Sequence, residues 1–344
     1  MGKGLNNSVS LYEELIKLQN IKDSEKVVIV TEPVYARENP TIVYAFQTAL
    51  SNLGTDFYTM TIPPRAKNIL LDKPGTDFIF DSLKGANFIL TLGAMIIYGT
   101  DEGYELLKSG KRSLHNSIDE NTLRRLWPTE RIINRTFEGA KIMHDSKIIK
   151  VTSKKGTDLT VDKTGRKAHS QCSLAHIPGR WDNAGYGRVD AGPPYNFAEG
   201  TIIFDSGDYI QPMDRIVESP IKCTVKNGYV VNIEGGADAK MFKMWLDYWE
   251  DPECYRVSHI GWGTNDGAIW YGRGITPSAD RYNYYGSVTI AMGSNTFRSG
   301  AKYSGFDIKI DAAAHCDNIF LNNSLWLDDI QILDEGKHVN PKLI

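Results

Sequence analysis

The segment His315-Cys316-Asp317 carries two residue types that bind metals, spaced two residues apart. Alternate residues of a strand point to the same face, so His315 and Asp317 can bind one ion if this segment is extended. A site of two histidines and one carboxylate typically holds non-haem Fe(II) and leaves positions open for a substrate and O₂. His259 is the best candidate for the third ligand, because Gly261-Trp262-Gly263 lets backbone come close to a site. Structural histidines that form only hydrogen bonds are the alternative.

The other histidines give weaker signals. His169 and His176 lie near a segment rich in glycine and proline, where they could line a cleft. His115 and His144 are expected in surface helices or beside them, and His338 belongs to the C-terminal tail.

A short segment around Arg180 indicates a second kind of chemistry. Pro178-Gly179-Arg180-Trp181-Asp182-Asn183 places an arginine and a tryptophan beside a glycine. Charge and stacking from these side chains could orient a planar anionic substrate. A surface turn with a packed tryptophan is the alternative. Glu234, which closes the strand at 229–233, could be a metal ligand, an acid near the metal or only a turn residue.

Several motifs are absent, and their absence excludes classes of site. The chain has no Walker A sequence, no HExxH and no GxSxG. Gly185-Tyr186-Gly187 and Gly261-Trp262-Gly263 each lack the third glycine of a dinucleotide fingerprint. The four cysteines form no CxxC pair, which excludes zinc-ribbon, iron–sulfur and thioredoxin-like sites. They are Cys172, Cys223, Cys254 and Cys316. We expect Cys316 to point into the core, opposite to His315 and Asp317.

The composition is that of an ordinary globular protein. The 344 residues include 39 basic and 42 acidic side chains, a net charge of −3, and 41% of them are hydrophobic. No basic field is present to attract nucleic acid or anionic lipid. The longest apolar stretch, residues 86–98, is too short to span a bilayer, and the N-terminus lacks the apolar region of a signal peptide. We expect a cytoplasmic protein with neither a nucleic-acid partner nor a membrane partner.

Patterns of apolar residues divide the chain into two halves. The first half alternates strands with helices, which is typical of a parallel sheet covered by helices. Its strands are predicted at 26–30, 56–62 and 87–92, and its helices at 11–18, 40–53, 101–107 and 122–143. The second half is rich in strands and Gly-containing turns, and Asn227-Gly228 suits the type I′ turn of a hairpin. Its strands are predicted at 147–152, 159–161, 201–204, 220–225, 229–233, 287–292 and 306–310, with a helix at 241–249.

The predicted fold class is therefore α/β with two domains. Residues 1–146 form an N-terminal α/β domain with a mainly parallel sheet. Residues 147–344 form a C-terminal strand-rich α+β metal-binding domain, which carries the candidate site residues described above.

Five motifs in the second half occur in the order of one enzyme family. They are Arg180-Trp181-Asp182, Ile233-Glu234-Gly235-Gly236, His259-Ile260-Gly261-Trp262-Gly263, His315-x-Asp317 and Ser324-Leu325-Trp326-Leu327-Asp328-Asp329. In these motifs the chain resembles 2,5-dihydroxypyridine 5,6-dioxygenase, the ring-opening enzyme of nicotinate degradation. That family is similar in fold to the aminopeptidase T group of metallopeptidases. The resemblance is weaker in the N-terminal half.

The resemblance implies a mononuclear non-haem Fe(II) dioxygenase that opens a hydroxylated N-heteroaromatic ring with O₂. It implies that His259, His315 and Asp317 hold the iron and that the protein is a homo-oligomer. Two pocket histidines of the family fall on Tyr98 and Asn183. A tyrosine with an ordinary pKa near ~10 is a poor base at neutral pH, and an asparagine does not titrate. We expect Arg180, Tyr98 and Asn183 to orient and polarise the substrate ring.

Two other functions remain open. The first is a metal-dependent aminopeptidase or amidohydrolase that uses Zn²⁺ or Mn²⁺ on the same scaffold. The two-metal ligand set of those relatives is incomplete here, because Thr289 and Thr296 stand where they would have a histidine and a tyrosine. The second is a ligand-binding protein without catalytic activity.

Overall fold

The structure, a computed structural model, describes residues 2–63, 77–97, 99–192, 198–272, 276 and 278–344. The helices are α1 (Gly2–Leu18), α2 (Pro33–Glu38), α3 (Pro40–Asn52), α4 (Asp77–Leu83), α5 (Asp101–Lys108), α6 (Glu120–Arg125), α7 (Glu130–Asp145), α8 (Ala237–Asp247) and α9 (Ser278–Asn283), with 3₁₀ turns at Gln211–Met213 and Pro252–Tyr255. No helix in these described ranges is both long and apolar enough to cross a membrane.

The strands belong to three sheets. They are β1 (Lys26–Thr31), β2 (Asp56–Thr61), β3 (Phe88–Leu92), β4 (Arg112–Asn116), β5 (Ile148–Thr152), β6 (Asp158–Asp162), β7 (Ala168–Gln171), β8 (Trp181–Asn183), β9 (Arg188–Ala191), β10 (Ala198–Phe204), β11 (Tyr209–Ile210), β12 (Arg215–Ile216), β13 (Ile221–Lys226), β14 (Tyr229–Gly235), β15 (Val257–Gly263), β16 (Val288–Asn295), β17 (Ile310–Phe320), β18 (Ser324–Leu327), β19 (Ile330–Asp334) and β20 (Lys337–His338).

Sheet A, in the order β2-β1-β3-β4-β8, forms the centre of the N-terminal half, and all its pairings are parallel. Leu15 and Phe46 pack against one face of the sheet, and Leu83 and Leu107 pack against the other. A strand that is covered on both faces has no polar side to present to water. This explains why residues 27–30 are a continuous apolar run.

Two antiparallel sheets build the C-terminal half. Sheet B has the order β14-β13-β10-β6-β5-β18-β19-β20, and sheet C has the order β12-β11-β17-β16-β15-β9-β7. The two sheets share one apolar core, in which Val151 and Phe204 of sheet B lie with Trp262 and Met292 of sheet C. The predicted fold class is confirmed. The opposite face of sheet C lies outside this core, and His259, His315 and Asp317 are on that face.

Several local predictions can be compared with the structure. The Asn227-Gly228 hairpin is confirmed, because both residues have positive φ, 49° and 82°, as a type I′ turn requires. The single helix predicted at 122–143 is wrong, since α6 ends before Pro128 and α7 begins after it. A proline inside a helix removes a backbone hydrogen bond and clashes with the preceding turn. The strand predicted at 306–310 is also wrong, because Phe306 forms only an isolated bridge with Arg298.

One strand of sheet A comes from the second half of the chain. β8 pairs in parallel with β4, so that Ser113 lies opposite Trp181 and His115 lies opposite Asn183. The strands before and after it, β7 and β9, belong to sheet C. The segment 168–191 therefore joins the edge of sheet A to sheet C.

Candidate metal centre

The central strands of sheet C, β15, β16 and β17, send alternate side chains to opposite faces. Ile260, Met292 and Cys316 point into the core shared with sheet B. This confirms the expectation that Cys316 is a core residue. The residues directly before and after each of them in sequence therefore lie on the opposite, polar face of the sheet.

The register of these strands explains how the candidate ligands meet. His259 on β15 and Asp317 on β17 lie on either side of Ala291 on β16. His315 lies opposite Gly293 of the same middle strand. Because β16 has only Ala291 and Gly293 at these positions, the side chains of β15 and β17 can meet over the polar face of β16.

His259, His315 and Asp317 come together on this face, and their ligand atoms all lie within 4.8 Å of one another. Nε2 of His259 is 3.0 Å from Oδ1 of Asp317, and Nε2 of His315 is 2.9 Å from its Oδ2. Each side chain is less than a tenth exposed. Two imidazole nitrogens and one carboxylate that converge in this way form the donor set of a mononuclear site for a divalent transition metal.

Two further contacts orient the ligands. Nδ1 of His315 donates to the carbonyl oxygen of Ser294 at 2.6 Å, and the Tyr282 hydroxyl donates to Oδ2 of Asp317 at 2.6 Å. A carbonyl accepts only an N–H, so Nδ1 of His315 is protonated and its Nε2 is the nitrogen available to a metal. Outer hydrogen bonds of this kind are typical of metal ligands, and the residues present therefore fit a metal ion. Nδ1 of His259 is buried and has no such partner in the described part of the chain.

Charge couples the three side chains. Burial alone would lower the pKa of His315, but the neighbouring Asp317 carboxylate raises it above its ordinary value. Burial would likewise raise the pKa of Asp317, but the two imidazoles hold it well below its usual range. Because Asp317 favours the protonated form of His315, protons compete with a metal ion for Nε2 of this residue, and metal binding should strengthen with rising pH.

Two phenylalanines form apolar walls beside the ligands. The ring of Phe306 stacks on that of His259, with centroids 5.1 Å apart and planes 25° apart, and Phe297 meets His315 edge-on at 5.4 Å. Both walls belong to a cavity of about 450 Å³ that the three candidate ligands also line. This volume and these apolar walls suit a small aromatic molecule.

A buried ion pair lines the same cavity. Arg188 donates from Nε and from one Nη to the two carboxylate oxygens of Asp190, at 2.7 and 2.6 Å. Its guanidinium lies over the ring of Tyr282 at 5.0 Å. Burial would raise the pKa of Asp190, but Arg188 holds it below its ordinary value, so the pair stays ionised. Gly261 on β15 lies opposite Asp190 on β9. A side chain at position 261 would place its Cβ 2.4 Å from Oδ1 of Asp190, so only glycine leaves room for this carboxylate.

Two further histidines line the cavity. His169 lies between Trp181 and Phe306, with ring centroids 5.2 and 5.0 Å away, which confirms that it faces a cleft. The expectation for His115 is wrong, because it is buried in β4 with Nδ1 2.9 Å from Oγ1 of Thr91. Burial lowers the pKa of each histidine to about 3, so both are neutral near pH 7.

The other candidate residues are spread over different places. Asn183 lines the cavity, and its Oδ1 is buried. Tyr98 lies outside the described residues. The side chain of Glu234 is 57% exposed and lies 3.8 Å from Lys222, and it is not among the residues that line the cavity.

Arg180 does not line the cavity, contrary to the expectation from sequence. Its side chain has no exposed surface, and its guanidinium donates to the carbonyls of Ser170 at 2.8 Å, Tyr303 at 3.0 Å and Leu174. It also donates to Oδ2 of Asp182 at 3.1 Å. Since protein acceptors engage each of its nitrogens, Arg180 fastens β7 and β8 together and cannot contact a substrate.

Sequence reasoning missed several residues of the site. Tyr282 lies in the short helix α9, and Arg188 and Asp190 lie in β9, none of which was predicted. The alternation of Arg188-Val189-Asp190 was a usable signal, because polar residues on both sides of a valine are typical of a half-buried strand.

Comparisons with known proteins identify the family and the fold of the chain. The family model for NicX, 2,5-dihydroxypyridine 5,6-dioxygenase, matches residues 7–340. A 2,5-dihydroxypyridine 5,6-dioxygenase from Pseudomonas putida KT2440 is 25% identical, with 96% of each chain covered. The solved structure of the 2,5-dihydroxypyridine dioxygenase of that strain gives a TM-score of 0.87 at 24% identity, with 98% of both chains covered. Wild-type AmpT from Thermus thermophilus shares the fold, with a TM-score of 0.64 at 14% identity, over 97% of this chain and 99% of that one.

Proposed function

The chain belongs to the 2,5-dihydroxypyridine 5,6-dioxygenase family, and we propose that it is a mononuclear Fe(II) enzyme that opens a hydroxylated pyridine ring with O₂. The observation that carries this proposal is the convergence of His259, His315 and Asp317 beside a cavity of about 450 Å³ that has phenylalanine walls. Membership of a dioxygenase family supports the reaction type, and the ligand set supports the metal.

Iron is the proposed metal, held by His259, His315 and Asp317. Bound Fe(II) would supply the one-electron chemistry that lets O₂ react with a closed-shell ring. Within the described ranges these residues form the one cluster of metal-binding side chains, which favours one ion over the pair used by many hydrolases. Thr289 and Thr296, at the positions of further ligands in the aminopeptidase relatives, offer only hydroxyl groups.

The residues of the cavity bind and orient the ring. Phe297 and Phe306 pack against it and keep water away from the candidate ligands. Asn183 offers hydrogen bonds but does not exchange protons, and His169, which burial keeps neutral, offers one donor and one acceptor nitrogen. A hydrogen bond from Tyr98 to the substrate stays a prediction, as do the homo-oligomer and the cytoplasmic location.

Metal binding tests the site assignment. We expect protein purified anaerobically to bind one Fe(II) per chain in a calorimetric titration. His315→Ala and Asp317→Ala should each weaken that binding by at least ~100-fold, in line with the loss of a ligand. His144→Ala is the matched control, because His144 lies in α7 and is not among the cavity residues. Unchanged Fe(II) affinity in both ligand variants would show that the site is assigned wrongly.

Oxygen consumption tests the reaction. The Fe(II)-loaded protein should consume one O₂ for each ring opened when it is given dihydroxypyridines, aminophenols and related rings. Turnover of peptides or amides under strict anaerobiosis would select a metal-dependent hydrolase instead. Absence of any metal at stoichiometric level would select a ligand-binding protein.

A further inference from the structure

Two side-chain amides that line the cavity each have a buried polar atom without a hydrogen-bond partner in the described part of the chain. Nε2 of Gln171 and Oδ1 of Asn183 are fully buried, and neither atom contacts a donor or acceptor among the described residues. The two residues are only 4% and 6% exposed, and both line the cavity that the metal ligands face. Most buried polar side-chain atoms in folded proteins do have a partner, so an unpartnered amide nitrogen and an unpartnered amide oxygen in one cavity call for a ligand.

Hydrogen bonds connect the two strands that carry these amides. Oδ2 of Asp182 accepts hydrogen bonds from the backbone N–H of Cys172 at 3.0 Å and of Leu174 at 2.9 Å. Cys172 directly follows Gln171, and Asp182 directly precedes Asn183. The guanidinium of Arg180 spans the same junction, as described above. A buried charged network therefore fixes the ends of β7 and β8, and both amides sit on rigid backbone.

The polar side chains of Gln171, Asn183 and His169 form one wall of the cavity, and all three are neutral. The amides of Gln171 and Asn183 do not titrate, and His169, two residues before Gln171 on the same face of β7, is uncharged near pH 7. The charges of Arg188 and Asp190, which also line the cavity, are paired with each other through two hydrogen bonds. A neutral wall that combines donors with acceptors is complementary to a neutral ligand edge with the same combination, and it offers no positive charge to an anion.

We propose that Gln171 and Asn183 bind the lactam edge, –NH–C(=O)–, of a 2-pyridone ring. This inference rests on the proposed function and specifies which tautomer and which edge of the ring are recognised. A 2-hydroxypyridine in its lactam form presents an N–H donor beside a C=O acceptor. A side-chain amide oxygen accepts from the first and a side-chain amide N–H donates to the second. Because ring positions 2 and 5 are para, this binding turns the 5-hydroxyl away from the amides.

The prediction is a preference for ligands that carry both halves of this edge. A site built to hydrogen-bond a ligand N–H or C=O rejects analogues that lack it, because its buried groups are then left unpaired. We expect 5-hydroxy-2-pyridone to bind at least ~10-fold more tightly than N-methyl-5-hydroxy-2-pyridone, which lacks the donor, and than hydroquinone, which lacks the lactam.

Binding and stability are measured without O₂, by calorimetry and thermal unfolding, both with and without Fe(II). Gln171→Met and Asn183→Leu replace each amide with an apolar group of similar size. Each variant should bind 5-hydroxy-2-pyridone ~10–100-fold more weakly and hydroquinone with little change. The ligand-free variants should unfold at a higher temperature than the native protein, because an unpaired buried amide has been removed. Thr289→Val is the matched control, since Oγ1 of Thr289 is also buried and unpartnered but lies outside the cavity, and it should leave ligand binding unchanged.

Two outcomes would overturn the inference. One is equal binding of 5-hydroxy-2-pyridone and its N-methyl analogue to the native protein. The other is a lower unfolding temperature in both variants, which would mean that the amides serve the fold. Failure of the proposed function is distinguishable from these, because it appears as absent Fe(II) binding or absent O₂ consumption while the ligand preference persists.

Discussion

Replacing one residue of the Arg188–Asp190 pair should lower the free energy of unfolding far more than replacing both residues together. The two side chains are only 5% and 1% exposed, and they share two charge-assisted hydrogen bonds of 2.7 and 2.6 Å. Replacing one partner leaves the other charge buried without compensation, which typically costs about 3–5 kcal/mol. We therefore expect Arg188→Met and Asp190→Leu to lower the free energy of unfolding by about that amount each. The double variant removes both charges, and its cost should stay below about 2 kcal/mol.

The pH dependence gives the same pair a second signature. In the native protein the folded pKa of Asp190 lies below its unfolded value of ~3.9, so this carboxylate stabilises the fold above that pH and its contribution is lost as the pH falls through the folded pKa. In Arg188→Met the arginine no longer lowers the pKa of Asp190, and burial then raises the folded pKa of this carboxyl group. The variant should therefore lose stability as the pH rises from ~4, and its deficit should be larger at pH 8 than at pH 5.

Equilibrium unfolding in urea, followed by tryptophan fluorescence at pH 5 and pH 8, measures both effects. The interaction free energy is the cost of the double variant minus the sum of the single costs. Single costs that simply add, or a deficit of Arg188→Met that does not change with pH, would refute the assignment of a buried and ionised pair.

Three further changes have specific expected outcomes. Tyr282→Phe removes the hydroxyl that donates to Asp317 at 2.6 Å and should weaken Fe(II) binding ~10–100-fold in a calorimetric titration, without unfolding the protein. Gly261→Ala would place a Cβ 1.9 Å from the carbonyl oxygen of Val189, so it should lower the unfolding midpoint, and an unchanged midpoint would contradict the close approach of β9 and β15. Burial raises the pKa of Asp208 to about 7, so the native protein should lose stability as the pH rises from ~4 towards 7; Asp208→Asn should remove that loss, as urea unfolding across this range would show.

The cluster of candidate metal ligands could be predicted from sequence because the information is local. An alternating strand fixes the common face of His315 and Asp317, and small residues mark the strand beside them. The Asn227-Gly228 hairpin was equally local, since two residues with positive φ define its turn. The glycines around Trp262 made His259 the best third candidate, and the family resemblance then implied the same residue.

Local sequence patterns could not predict the burial of residues whose surroundings come from distant parts of the chain. β4 has the sequence Arg-Ser-Leu-His-Asn and is buried throughout, because Arg112 pairs with Glu25 and β3 and β8 flank the strand. Nothing in that sequence distinguishes it from a surface segment, and so His115 was assigned to one. Arg180 was misread for the same reason, since its acceptors include Tyr303, which is remote in sequence.

The passage of residues 168–191 through both sheets has a consequence for how the protein is made. During translation, sheet A leaves the ribosome with β4 as an open edge, and that edge is paired only after β8 has emerged. The N-terminal half therefore cannot complete its sheet as an autonomous unit ahead of the rest. A gene divided after residue 146 would yield two fragments that must find each other in solution before the edge is covered, and the cavity would form only in their complex.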